Sequence, residues 1–219
     1  LEDDCVPHPS FFAFCGELLE RYRDDDRVML IGGDNTLTQD VNWRGSYDFS
    51  RHALIWGWAT WARAWAHYDF EKFLNADRDD VISHVFSERY ARETWRQRLE
   101  RVAGGTLDSW ANPWTFTVWD QDGLAVVPKK NLVSNIGFGE SATHTKKTGG
   151  ARDARTAEPV YFPLVHPPVN NNIALDAAIL ADIHGVHPPR PLHQRAWRKL
   201  KRLVRKRKKG SAAPKPEHG

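Results

Sequence analysis

Val28-Met29-Leu30-Ile31-Gly32-Gly33 is the stretch on which the reading of the fold turns. Four consecutive apolar residues stopped by paired glycines predict a short strand buried on both faces, as in a sheet covered by helices. Upstream, Pro9-Ser10 marks a helix start, and Phe11, Phe14, Leu18, Leu19 and Tyr22 recur at helical spacing until Asp24-Asp25-Asp26 ends the run. Before it, Leu1-Glu2-Asp3-Asp4 reads as the end of a buried strand running into an acidic turn. Downstream, a polar loop from Asp34 to Gly45 leads to Tyr47–Ile55, partly extended, and then to Trp56-Gly57-Trp58-Ala59-Thr60-Trp61, which runs into a helix through Trp65 and Tyr68. Glu88 to Val102 is a charged amphipathic helix broken at Gly104-Gly105, and Leu107 to Trp119 a further helix that tolerates Pro113 in its first turn. Leu124-Ala125-Val126-Val127 is a second strand closed by Pro128; from Asn131 the text becomes loop-like. Strands alternating with helices predict an α/β fold.

The chain has 219 residues, 41% hydrophobic and 27% charged, a balance that excludes a disordered polypeptide. No apolar run reaches the roughly 20 residues of a membrane span. The opening, acidic and without Met, lacks the features of a signal peptide and is expected to belong to a fragment cut from a longer protein. Two cysteines, Cys5 and Cys15, are too few for a disulfide framework and fit no zinc spacing, so buried reduced thiols are expected. The net charge of +3 conceals an asymmetry: Ile183–Gly219 holds twelve Lys/Arg and one acid, while the remainder holds 19 basic and 27 acidic residues. An acidic body with a basic tail differs from a uniformly basic nucleic-acid binder.

Four groups of residues suit chemistry. Glu2-Asp3-Asp4, at a strand end, crowds three carboxylates where α/β sheets bind ligands, and carboxylates so crowded repel unless a cation such as Mg²⁺ or Mn²⁺ sits among them. A solvated acidic turn is the competing reading. Ten tryptophans serve mostly as core, yet Gly57 between Trp56 and Trp58 suggests a backbone that turns to present rings. Asp108, before Ser109-Trp110, is either a general base over an acceptor or a helix N-cap. Asn135-Ile136-Gly137-Phe138-Gly139 permits a tight loop, with His144 beyond it as a metal ligand or a loop hydrogen-bonder.

Taken in order and spacing, Leu1-Glu2-Asp3-Asp4, Trp56–Trp61, Asp108-Ser109-Trp110 and Asn131–Gly139 resemble the metal-dependent glycosyltransferases of the GT-A fold, of the family 2-like bacterial and N-acetylglucosaminyltransferase I types. The resemblance covers Leu1 to about Thr145. It implies the C-terminal portion of a three-layer α/β sandwich with a mixed sheet, the nucleotide-binding half having preceded it. It also implies transfer of a sugar from a nucleotide-diphosphate donor, with inversion, to a glycan or lipid-linked acceptor of bacterial surface polysaccharide. On that pattern Asp4 and His144 would hold Mn²⁺ or Mg²⁺, Glu2 and Asp3 would face the donor, and Asp108 would be the base. Trp56, Gly57, Trp58 and Trp110 would border the acceptor. The chain departs from the pattern at Ala111, where the N-acetylglucosaminyltransferase I type carries an acid after the tryptophan. A non-catalytic carbohydrate-binding or scaffold fragment is the alternative.

The expected organisation is a partial catalytic domain over 1–150, a loop-rich extension over 151–190, and a basic segment over 191–219. Within the last, His193–Lys209 places Trp197, Leu200, Leu203 and Val204 near one helical face among Lys and Arg. Such a helix suits an anionic membrane surface, with a disordered basic tail and nucleic-acid binding as the competing readings. The acidic body without an RNA-binding motif favours the membrane, in a peripheral position at the cytoplasmic face of the cell membrane, and no nucleic-acid partner.

Overall fold

The computed structural model describes residues 1–137 and 155–189. In them the chain runs β1 (Cys5–Pro7), α1 (Ser10–Arg21), β2 (Val28–Gly32), β3 (Tyr47–Ser50), β4 (Trp58–Ala59), α2 (Ala62–Trp65), α3 (Phe70–Asn75) and α4 (Arg78–Val85). It continues through α5 (Arg89–Ala103), α6 (Ala111–Asp120), β5 (Leu124–Pro128), β6 (Val133–Asn135) and α7 (Ile173–Asp182). The class is mixed α/β, as the alternation of strands and helices predicts. A four-stranded sheet has the order β3-β5-β2-β4, and β1 pairs separately with β6. Only β2 and β5 are parallel; β3 and β4 run antiparallel to their neighbours, so the sheet is mixed.

All residues of β2 and β5 are buried because helices cover both sheet faces. Ile31, Phe49 and Val126 pack with Phe11, Phe14 and Leu18 of α1. Leu30 and Ala125 pack with Trp114 and Val118 of α6, and Val127 with Leu175, Ala178 and Ile179 of α7. Each such side chain contributes about 1.5–3 kcal/mol on full burial, which makes this layered centre the main stabilising element. α3, α4, α5 and α6 build a second apolar cluster around Phe73, Ile82, Trp95, Leu99 and Trp119.

Local signals set several boundaries. His8 Nδ1 accepts from Ser10 N at 3.2 Å and so occupies one of the orphan donors at the start of α1. Asp69 and Asp77 cap α3 and α4 through their side chains, as Asp does well. α5 ends at Gly104, and Gly105 takes a left-handed φ of 68°. Asp48 is fully buried. Burial alone would raise its carboxyl, but ion pairing with Arg44 and a bond from Asn172 Nδ2 (2.8 Å) outweigh it and hold it below the usual range.

Several expectations are corrected. Leu1-Glu2-Asp3-Asp4 does not end a buried strand: Leu1 is 58% exposed, and the acidic turn leads into β1. The helix after Trp61 stops at Trp65 rather than running through Tyr68, and the helix expected from Leu107 begins at Ala111. The segment expected as a loop-rich extension over 151–190 is, from residue 155 to His187, part of one compact unit, Leu1–His187, and contains α7. Asn172 starts that helix by accepting from Ala174 N and Leu175 N. The second unit, Pro188–Gly219, falls outside the described residues beyond residue 189, and with it the expected basic helix. No helix among the described residues is long and apolar enough to cross a membrane.

Candidate functional site

The pairing of β1 with β6 sets Cys5 opposite Asn135 and so brings the first acidic residues to the Asn135–Gly137 loop. Ile136 N donates to Asp4 O at 2.8 Å, and Gly137 N to Asn135 Oδ1 at 2.7 Å. A Cβ at residue 137 would collide with the Asp4 carboxylate, so glycine is what lets the loop lie against it. Cys5 N donates to Glu2 O at 3.1 Å and closes the turn.

Side-chain ligand atoms of Glu2, Asp4 and Cys5 lie within 4.8 Å of one another, the one such group among the described residues. Two carboxylates suit a hard divalent cation, so this much of the donor set fits Mn²⁺ or Mg²⁺. The thiol fits less well. Burial, and then the charge of Asp4, pushes Cys5 up to about 11, so it stays protonated near neutrality and donates to Asp4 Oδ1 at 3.6 Å. Asp3 is exposed and is not part of the group. His144 lies outside the described residues.

The tryptophan motif abuts this turn. Gly57 takes a φ of 65°, and a Cβ there would sit 2.6 Å from Val133 Cγ2 and 3.1 Å from Leu1 Cδ2. Gly57 O accepts from Gly33 N at 2.7 Å, which fixes the motif against the end of β2. The turn at Gly57 sends its two neighbours apart. Trp56 packs, partly buried, with the cluster of α1 and the sheet, whereas Trp58 joins the cluster of α6 on the other face.

Trp58 meets a second motif residue there. Its ring stacks on Trp110 at 5.5 Å and 23°, and lies 5.8 Å from Trp65 and 6.0 Å from Trp114. Trp65 stacks in turn on Tyr68 at 4.6 Å and 6°. Trp114 is fully buried beneath these rings, Trp65 is 39% exposed, and Trp58, Tyr68 and Trp110 lie between. The result is an aromatic surface with a buried foundation.

Asp108 stands exposed two residues before Trp110, in the connection from α5 to α6. It does not cap α6: Ser109 Oγ accepts from Asn112 N at 3.3 Å and takes that place. Ala111 is the first residue of α6.

In sequence Cys5 reads as a core thiol, although its position directly after Asp4 already places it beside the acids. Trp65 and Tyr68 read as part of a helix, yet their separation by three residues already favours contact. No family model, curated protein or solved structure matches this chain.

Proposed function

We propose that the chain is part of an inverting, nucleotide-sugar-dependent glycosyltransferase of GT-A type that acts on a glycan or lipid-linked acceptor of bacterial surface polysaccharide. The observation that carries this reading is the convergence of three separate sequence motifs on one turn: Glu2/Asp4, the Gly57 bend between tryptophans, and the Asn135–Gly137 loop. The chemistry of the donor set supports a divalent cation held by Asp4 with Glu2 beside it.

In this reading a bound Mn²⁺ or Mg²⁺ supplies charge neutralisation for a departing diphosphate. Glu2 and Asp3, both exposed, accept hydrogen bonds from donor hydroxyls. Trp58 and Trp110 offer ring faces on which an acceptor sugar stacks, with Trp56 and Gly57 at the border. Asp108 accepts the proton of the acceptor hydroxyl as its oxygen bonds to the anomeric carbon. The bond from that carbon to the diphosphate oxygen breaks, and its electron pair leaves with the diphosphate. The basic segment 191–219 would hold the enzyme at the cytoplasmic face of an anionic membrane. Ala111 favours a second reading, a carbohydrate-binding fragment without catalysis, because an apolar residue follows Trp110 where the resemblance implies an acid.

Donor hydrolysis by the full-length protein, with and without Mn²⁺, separates the two. Asp4→Ala is expected to abolish metal-dependent turnover at unchanged thermal stability, since Asp4 belongs to a partly exposed turn. Full activity in EDTA, or unchanged turnover in Asp4→Ala, would overturn the metal assignment. Glycan binding without any turnover would favour the fragment.

A further inference from the structure

His52, buried, and His184, partly buried, form a pair remote in sequence, with ring centroids 5.1 Å apart. His52 follows β3 and is 1% exposed, enclosed by Phe86 at 5.8 Å, Trp95 at 6.3 Å and Trp119 at 6.4 Å. Its Nδ1 has no hydrogen-bond partner among the described residues. His184 follows α7 and sets its ring edge-on to Trp95 at 4.8 Å. Backbone bonds from His184 N to Ile179 O (3.1 Å) and from Val186 N to Leu180 O (2.9 Å) fold this segment back on α7. The pair therefore joins the end of α7 to the helical layer.

Arg98, Arg51 and Asp176 are charged groups that act on His52. Arg98 of α5 lies over the Trp95 ring at 4.7 Å, and its Nη1 stands 3.3 Å from His184 Nδ1. A guanidinium only donates, so Nδ1 accepts here and the His184 ring is neutral in this arrangement. Arg51, beside His52, adds a second positive charge, and Asp176 of α7 opposes both. Asp176 is itself bonded by Ser50 Oγ at 2.6 Å and by Asn171 Nδ2 at 2.8 Å. The end of α4 and α6 contribute only the rings of Phe86 and Trp119. Burial, ahead of the charges, holds His52 below its ordinary 6.5.

We propose that the His52–His184 pair is an acid-sensitive latch: closed while both rings are neutral, it releases the segment Ile183–His187 from the helical layer when the pair takes up a proton. A cation at His52 would lie in an aromatic pocket that offers no acceptor to Nδ1, beside Arg51 and within reach of Arg98. Opening hydrates it.

The sign follows from the direction at His52. A group depressed in the closed state binds its proton more readily in the open state, so the latch holds above about pH 6.5 and weakens below it. Uptake of one proton favours opening by at most about tenfold per pH unit below that value.

Hydrogen exchange of the 219-residue chain, corrected for intrinsic rates, tests the proposal. Protection at 183–187 is expected to fall from pH 7.5 to 5.0, by at most about 30-fold for one proton, while the β2 amides of Val28–Gly32 keep theirs. His52→Phe, which fills the aromatic pocket without a proton site, is expected to remove the pH dependence, and His184→Gln to retain an acceptor for Arg98. A wild-type change below about threefold, or the full wild-type change retained in His52→Phe, would overturn the latch. If His52→Phe fails to fold, the NMR titration of His52 in the wild type decides. A ring that stays neutral while 183–187 opens would equally overturn it.

Discussion

Two groups of stacked rings occupy this protein, built from the same residue types and ending in different states. In the helical layer, Phe86, Trp95, Trp119, His52 and His184 meet at centroid distances of 4.7–6.4 Å, and all but the partly buried His184 are closed over. Beside β4, Trp58, Trp65, Tyr68, Trp110 and Trp114 meet at 4.6–6.4 Å, yet only Trp114 is wholly buried. Ring count and ring spacing therefore do not separate core from surface here. What separates them is the layer above. α4 and α5 roof the first group, while the second rests on α6 and the sheet with α2 too short to cover it.

The largest expected effect breaks the closed group. Trp95→Ala removes a side chain that contacts both histidines and Trp119, and is expected to cost about 3–5 kcal/mol in urea unfolding. A loss below about 1 kcal/mol would mean that the helical layer repacks and that the contrast is one of accessibility alone.

Trp58→Ala probes the open group and should cost about half as much, near 1–2 kcal/mol, because part of the ring already faces water. If the open group is the acceptor surface, acceptor transfer falls further than donor hydrolysis. Equal losses in both, with a stability change as large as for Trp95→Ala, would class Trp58 with the core.

How far each region was legible follows from the range of the interactions that form it. β2, β5 and α5 are local products: an apolar run stopped by Gly32 or closed by Pro128, and an amphipathic stripe ended at Gly104, announce themselves within their own residues. β1 pairs only with β6, which lies far from it in sequence at Val133–Asn135, and its three residues carry no alternation long enough to read. α7 lacks a polar face to contrast with its apolar one, since Ile173–Asp182 is nearly all apolar; Asn172 was its one signal. At the candidate site the acids and glycines were legible as types, but that Asp4 and Glu2 gather with Cys5 beside the Asn135–Gly137 loop depends on the pairing of β1 with β6. That Trp56 and Trp58 part company depends on the left-handed φ at Gly57.

Asp108 carries the smallest expected change in stability and the most informative one in rate. It is exposed, and Ser109 already supplies the acceptor at the start of α6, so Asp108→Asn should leave stability within about 0.5 kcal/mol. A sugar hydroxyl is a poor nucleophile, and losing the carboxylate that accepts its proton is expected to cut turnover by about a hundredfold or more. Asparagine preserves size and hydrogen bonding but not basicity, so donor affinity should hold while kcat falls. Near-normal turnover in Asp108→Asn would remove Asp108 from the chemistry, and Ala111, being apolar, supplies no base in its place. The open group of rings would then be a platform for binding a glycan, distinguished from the closed group by access to solvent and not by catalysis.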